Sequence, residues 1–251
     1  MLDLIGVSRS FGGARAVDDV SLHVSAGRIT GLIGPHGAGN TTLFNLIAGS
    51  LPPSSGRIVL NGKDIGGAPA HRRLAAGLGR TFQIPRPFAA MTVLENVLLA
   101  AQRQGGEFPF ANWLTPGAVA RQEQHNIERA REIIEFLALT RLAASPAAIL
   151  SGGQRKLLEL ARVLMAGPKL VLLDEPAAGV NPTLLETIID RIRILHERGL
   201  TFLIVEHNLD MIARLCSEVH VMAAGRVLVS GTPEEVTADQ RVVDAYLGGA
   251  A

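Results

Sequence analysis

Lysine is nearly absent from these 251 residues: only Lys63, Lys156 and Lys169 stand against 21 arginines, so no lysine lies in the first sixty positions. The formal net charge is +1, with the arginines interspersed among acidic residues. That pattern gives no basic block for nucleic acid, and no nucleic-acid partner is expected. The single cysteine, Cys216, excludes an intrachain disulfide framework and fits a reducing compartment with an inert, buried thiol. No apolar run approaches the roughly 18 residues that span a bilayer. The opening MLDLIGVSRSFGG lacks the basic-then-apolar order of a signal peptide. A cytoplasmic protein is expected, touching a membrane only through partners. No internal repeat or low-complexity tract interrupts the chain.

What is present suits one large domain or a domain with a subdomain, since 47% of the residues are hydrophobic. Short β-branched runs recur, each followed by a turn and a helix-like stretch, which is α/β order. RITGLIG (28–34), KLVLLD (169–174) and LTFLIVE (200–206) read as buried strands of a parallel sheet. LDLIGVSRSF, AVDDVSLHVSAG and GRIVLNGKDI alternate more like antiparallel strands, giving a β-rich flank. Between about 84 and 150 strand signals nearly vanish. Ile127, Ala130, Ile134 and Leu137 make one apolar stripe there, opposite Arg121, Glu123, Glu128 and Arg131, as on a half-buried helix. GGEFPFANWLTPG (105–117) reads as a loop in this helical insert, with Trp113 as a packing anchor.

The stretch GPHGAGNTT (34–42) is nearly the phosphate-binding pattern G-x-x-x-x-G-K-[ST], but Asn40 holds the lysine position. It lies between a predicted strand and a predicted helix, the context that such a loop requires. Alone it is either a chance glycine turn or a nucleotide site without its main positive charge. LVLLDEP (170–176) puts Asp174 and Glu175 at the carboxyl end of a buried strand, where α/β sheets expose ligand sites. An aspartate there can hold Mg²⁺ through water, and the adjacent glutamate can orient or deprotonate an attacking water. Just upstream, Ser151, Gly152, Gly153 and Gln154 open an apolar helix: a serine N-cap, two bare glycines and aligned N–H groups form an anion site.

With these companions the chain resembles the ATP-binding cassette (ABC) family over nearly its whole length. GPHGAGNTT is similar to that family's Walker A loop, LSGGQ (150–154) to its signature and LVLLDEP to its Walker B strand. RTFQ (80–83) is similar to the glutamine-switch segment, AAGVNP (177–182) to the D-loop and VEHNLD (205–210) to the switch-histidine segment. The resemblance implies an α/β P-loop NTPase (RecA-like) core with an antiparallel β flank, 1–83 and 165–251, and a helical subdomain, 84–164, within one ABC ATPase domain, 1–251. ATP would lie on Gly34, Pro35, His36, Gly37, Ala38, Gly39, Asn40, Thr41 and Thr42. Mg²⁺ would be held by Thr41 directly, by Gln83 and by Asp174 through water. Glu175 would be the catalytic base, His207 would contact the γ-phosphate, Gln83 would complete the catalytic set, and Phe11 would stack on adenine. Ser151 to Gln154 would serve the nucleotide of a second cassette closing head to tail.

RTFQIPRPF, the insert, AAGVNP and the ending AYLGGA are similar to the larger ATPase subunit of branched-chain amino-acid importers. Urea or amide importers and lipopolysaccharide-export ATPases are the neighbouring alternatives. The implied partners are a second ATPase subunit, two transmembrane permease subunits and, indirectly, a substrate-binding protein, with this chain on the inner face of the membrane. Asn40 offers one neutral amide where an ammonium would contribute charge-assisted bonds worth roughly 1.5–3 kcal/mol each. Binding is expected to weaken rather than vanish, because backbone N–H groups, the helix terminus and Mg²⁺ remain. His36 is expected to be a neutral interface residue, protonation being the alternative. A nucleotide-binding but hydrolysis-poor subunit of a heterodimer is the rival reading. A soluble cassette of repair or translation finds no support, for there is no tandem second cassette.

Overall fold

The computed structural model describes residues 1–102, 104–107, 113 and 116–248. They form two compact units, one of 1–80, 169–178 and 192–251, the other of 81–168 and 179–191.

The first unit carries two sheets. Strands β1 (Leu2–Phe11), β2 (Ala14–Val24), β4 (Ser55–Leu60) and β5 (Lys63–Asp64) pair antiparallel in the order β2-β1-β4-β5. Their inward residues, Leu2, Leu4, Val7, Val20, Leu22 and Ile58 among them, are buried, as alternation requires of a sheet with one wet face. The second sheet has the order β10-β9-β3-β8-β7-β6, from β3 (Ile29–Ile33), β6 (Leu78–Arg80), β7 (Leu170–Asp174), β8 (Thr201–Val205), β9 (Glu218–Ala223) and β10 (Arg226–Gly231). All its pairings are parallel except β9 with β10. Strands β3, β7 and β8 are buried along their whole length, which is why their sequences read as unbroken apolar runs.

Helix α1 (Asn40–Ala48) leaves the glycine loop after β3 and ends on Gly49 in the left-handed conformation. Its last carbonyls are not left to water. Arg73, on α2 (Ala70–Ala75) and only 1% exposed, donates from Nη1 to the Leu46 and Ile47 oxygens at 2.6 and 2.8 Å, from Nε to Ala68 O and from Nη2 to Gly66 O. The guanidinium thus replaces solvent for four main-chain acceptors. Burial pulls its pKa down, opposed by the Asp64 carboxylate.

In the second unit, α3 (Val93–Leu98) starts at a Thr92/Glu95 capping box and α4 (Pro116–Phe136) follows. The expected stripe appears as buried Ala130 and Ile134 with half-buried Ile127, continued by Leu137 just beyond the helix. Most of the expected 105–117 loop lies outside the described residues. Trp113 is 81% exposed, which corrects its reading as a packing anchor: its ring faces solvent, while Ala130, Ile134 and Leu137 are buried. Helix α5 (Gly152–Met165) follows Ser151, and α6 (Pro182–Glu197), of which 182–191 belong to this unit and 192–197 to the first, begins one residue after Asn181, whose Oδ1 accepts from Leu184 N at 2.9 Å. The first unit closes with α7 (Leu209–Leu215), α8 (Pro233–Ala238) and α9 (Gln240–Gly248). Cys216 is buried, and burial pushes its thiol up to about 12, so it stays a neutral, unreactive side chain.

Candidate functional site

Because β8 lies between β3 and β7 in a parallel sheet, their carboxyl ends sit side by side. The glycine loop leaves β3, Asp174 and Glu175 end β7, and Glu206 and His207 follow β8. Three segments far apart in sequence thus meet at one sheet edge, the place where open α/β sheets bind ligands.

The loop is shaped by close backbone approach. A Cβ on Gly34 would lie 2.3 Å from the Met222 carbonyl oxygen, and Gly39, with φ near +105°, would bring one to 2.5 Å from the Ala16 oxygen. Only glycine fits at either place. Ala38 O accepts from Gly225 N at 2.9 Å, tying the loop to the turn after β9. Asn40 opens α1, 7% exposed, and its Oδ1 is buried with no hydrogen-bond partner among the described residues. The lysine position is therefore filled by a side chain that the loop does not satisfy. Thr41 is exposed at the same helix terminus, and Thr42 is half-buried behind it.

Glu175 has φ +45°, in the left-handed region that a residue with a side chain seldom adopts. Its N–H donates to Val205 O at 2.9 Å and its carbonyl accepts from Ala178 N, which hold the turn. Strain of this kind persists only where the surroundings enforce it. The result is a carboxylate Oε1 at 3.6 Å from Nε2 of His207, whose ring lies 5.0 Å from that of His36. The two histidines thus face each other across the loop and the β8 end. Asp174 is buried, with Oδ2 2.9 Å from Nη2 of Arg80, while Nη1 of Arg80 donates to Asn45 Oδ1 at 2.7 Å. Arg80 thereby joins Asp174 to α1. Phe11 is 46% exposed at the end of β1, with the Arg9 guanidinium 4.8 Å from its ring centre, so it is not a core residue.

The remaining candidates belong to the second unit. Gln83 is exposed, and the preceding Phe82 N–H donates to buried Glu159 Oε1 at 2.9 Å, which fixes the glutamine's segment on α5. Ser151 caps α5 through Oγ, accepting from Gln154 N, and Gln154 Oε1 accepts from Ser151 N at 2.9 Å. Gly153 needs its missing side chain, because a Cβ would lie 2.2 Å from Leu184 Cδ2. Gly152 does not: it is exposed, and its nearest neighbour would be a carbonyl oxygen 4.0 Å away. Glu159, Arg80, Asn45 and Glu206 were not singled out from the sequence. Arg80 and Glu206 stood inside quoted motifs that were read only for their glutamine and histidine. Nothing in a helical apolar pattern marks Asn45 or Glu159, except that each is a polar residue at a core-facing spacing.

As to a divalent cation, Thr41 and Asp174 of the first unit offer oxygen donors, the chemistry that Mg²⁺ selects. Among the described residues no three His, Cys, Asp or Glu side chains converge on one point. The donor set fits an ion shared with phosphates, which Mg²⁺ prefers to an all-protein cage.

A glycine loop opening a helix beside a strand-end Asp-Glu pair and a following histidine defines a nucleotide-binding cassette, and comparison agrees. Residues 17–178 match the family described as ABC transporter, and the chain belongs to that family. Within it, residues 226–251 match the family described as branched-chain amino acid ATP-binding cassette transporter. The chain is 41% identical to the probable branched-chain amino acid transport ATP-binding protein LivG of Archaeoglobus fulgidus, over 99% of this chain and 95% of that one. It is 37% identical to the high-affinity branched-chain amino acid transport ATP-binding protein BraF of Pseudomonas aeruginosa, over 100% and 98%. It is also 37% identical to the lipopolysaccharide export system ATP-binding protein LptB of Haemophilus influenzae, over 96% and 95%. Among solved structures, a nucleotide-free ATP-binding cassette from an ABC transporter superposes with TM-score 0.85 at 37% identity, covering 98% of both chains. An ATP-binding cassette of an ABC transporter in its ADP conformation gives 0.84 at 35%, covering 99% of this chain and 98% of that one.

Proposed function

We propose that this chain is the ATP-binding subunit of an importer for branched-chain or related amino acids. The observation that carries the nucleotide chemistry is the single sheet edge shared by the 34–42 loop, Glu175 and His207, with the last two 3.6 Å apart. The cargo rests on the relatives' names and on the match at 226–251.

Backbone N–H groups of the loop and the start of α1 bind the phosphates of ATP. Thr41, Asp174 and Gln83 would hold Mg²⁺, which neutralises phosphate charge when bound. Water attacks the γ-phosphorus as the bond to the ADP oxygen breaks, and Glu175 takes the water's proton. His207 donates to the γ-phosphate, and Phe11 stacks on the adenine. Gly152, bare and exposed without any demand from its own chain, fits close approach by the nucleotide of a second cassette closing head to tail. Exposed Phe82, Ile84 and Phe88 in the second unit suit docking of permease subunits. No helix among the described residues is long and apolar enough to cross a membrane. In this reading permease subunits carry the path and this subunit sits on the inner face.

The neutral amide of Asn40 in place of a lysine ammonium favours a qualification: hydrolysis at this chain's own loop is weakened. In the stronger form of that reading the chain is a hydrolysis-poor member of a heterodimeric pair and lends Ser151 to Gln154 to the intact site. Uptake of labelled leucine, urea and amides by the assembled complex, beside a lipopolysaccharide-release assay, tests the cargo. Uptake of leucine is expected. Release of lipopolysaccharide without amino-acid uptake would replace the importer with an exporter. Equilibrium binding of Mg·ATP to the isolated chain tests the cradle, and no detectable affinity would defeat it.

A further inference from the structure

Glu206, one residue before the candidate switch histidine, is 3% exposed and faces no guanidinium or ammonium in any hydrogen bond that the structure shows. Its carboxylate is neutralised by main chain instead. Oε1 accepts from Ala177 N at 2.6 Å, and Oε2 accepts from His207 N at 2.8 Å and Asn208 N at 2.9 Å. Ala177 lies two residues after Glu175, so one side chain fastens the turn that follows β7 to the turn that follows β8. Each turn carries one of the paired groups, Glu175 and His207, and the β7 turn already holds Glu175 at φ +45°. A carboxylate is the only side chain of this size able to accept three N–H bonds; a glutamine in its place turns an NH₂ toward at least one donor. Charge-assisted acceptors of this kind are among the stronger hydrogen bonds, and a half-satisfied buried one is costly.

We infer that Glu206 is a positioning residue that locks the β7 and β8 turns together and so keeps the Glu175 carboxylate and the His207 imidazole in register for hydrolysis. The inference rests on the proposed ATPase function of that pair. It is independent of how the substrate reaches the site.

The test uses the full chain, wild type and Glu206→Gln, each also with Asn40→Lys, with its partner subunits for turnover. Amide hydrogen exchange on the nucleotide-free chain reads the lock directly. In the wild type, the Ala177, His207 and Asn208 amides are expected to exchange as one cooperative group, and Glu206→Gln is expected to speed all three by about tenfold or more. Glu206→Gln is also expected to lower kcat at least about tenfold, the effect of one displaced contact in the transition state. The Kd for Mg·ATP should stay within about twofold, because the phosphate loop is untouched. Glu206→Asp, which keeps the charge on a shorter stem, should recover part of the kcat. Independent exchange of the three amides in the wild type, or accelerated exchange with unchanged kcat, would overturn the inference. If neither background hydrolyses ATP, the functional reading fails, while the exchange data still decide whether the lock exists. If Glu206→Gln does not fold, the wild-type exchange pattern alone decides it.

Discussion

Two glycine-bearing segments that sequence treats alike, the 34–42 loop and the 151–154 signature, are built on opposite principles. In the loop the chain's own atoms forbid side chains: the Met222 and Ala16 carbonyl oxygens crowd Gly34 and Gly39. Arg73 then pins the far end of α1, so the loop's helix is anchored at both termini. In the signature only Gly153 is crowded, by Leu184, and Gly152 borders open space. Nothing in its own chain requires Gly152 to be a glycine. The first segment is shaped throughout by its own chain, and the second is left open at Gly152.

That contrast can be broken by substitution. The largest effect is expected for Arg73→Leu, which strips four carbonyls of their buried donor and should cost at least about 3 kcal/mol of stability by urea unfolding. Retention of wild-type stability would mean that α1 is not held from its C-terminal end. Gly34→Ala should cost about 1–3 kcal/mol, because backbone rather than a flexible side chain must move, and should weaken Mg·ATP binding in calorimetry. Gly152→Ala should leave stability within about 0.5 kcal/mol yet reduce turnover of the assembled complex. A variant that melts early would show that Gly152 answers to its own chain after all.

The smallest effect concerns pH. His220 on β9 is buried, bonded to Ser230 Oγ at 2.7 Å, with Glu218 and the His23 backbone beside it. Burial pulls its pKa below the usual imidazole range, only partly offset by Glu218. The unfolded chain then binds the proton more readily than the folded one. Stability from the neutral ring is complete above the ordinary imidazole pKa and is lost as pH falls through it towards the lowered folded value. Urea midpoints should fall from pH 7.5 to about 5.5, and His220→Gln should flatten that fall. An equal fall in the variant would move the cause elsewhere.

Much of this was legible in the sequence, for identifiable reasons. Strands β3, β7 and β8 are buried on both faces, so their apolar runs were unambiguous. The capping box at Ser151 follows from serine three residues before glutamine. Polar residues that act across the sheet were not legible. The pairing of Arg80 with Asp174 spans 94 positions, and Glu206 reaches Ala177 across 29, distances over which no periodicity speaks. Trp113 misled because an aromatic among glycines and prolines looks like an anchor, whereas its ring is exposed. The partnerless oxygen of Asn40 is likewise a three-dimensional fact: the sequence shows a missing charge, and the structure adds an unsatisfied acceptor.

The most direct measurement is therefore steady-state ATP turnover of the assembled complex containing this chain, beside the same complex with Asn40→Lys, at saturating Mg·ATP. If the loop is a finished cradle missing only its ammonium, the substitution should raise kcat by about 10²–10³-fold, the usual worth of a donor aimed at developing charge. Equal rates in the two complexes would contradict the claim that Asn40 limits hydrolysis.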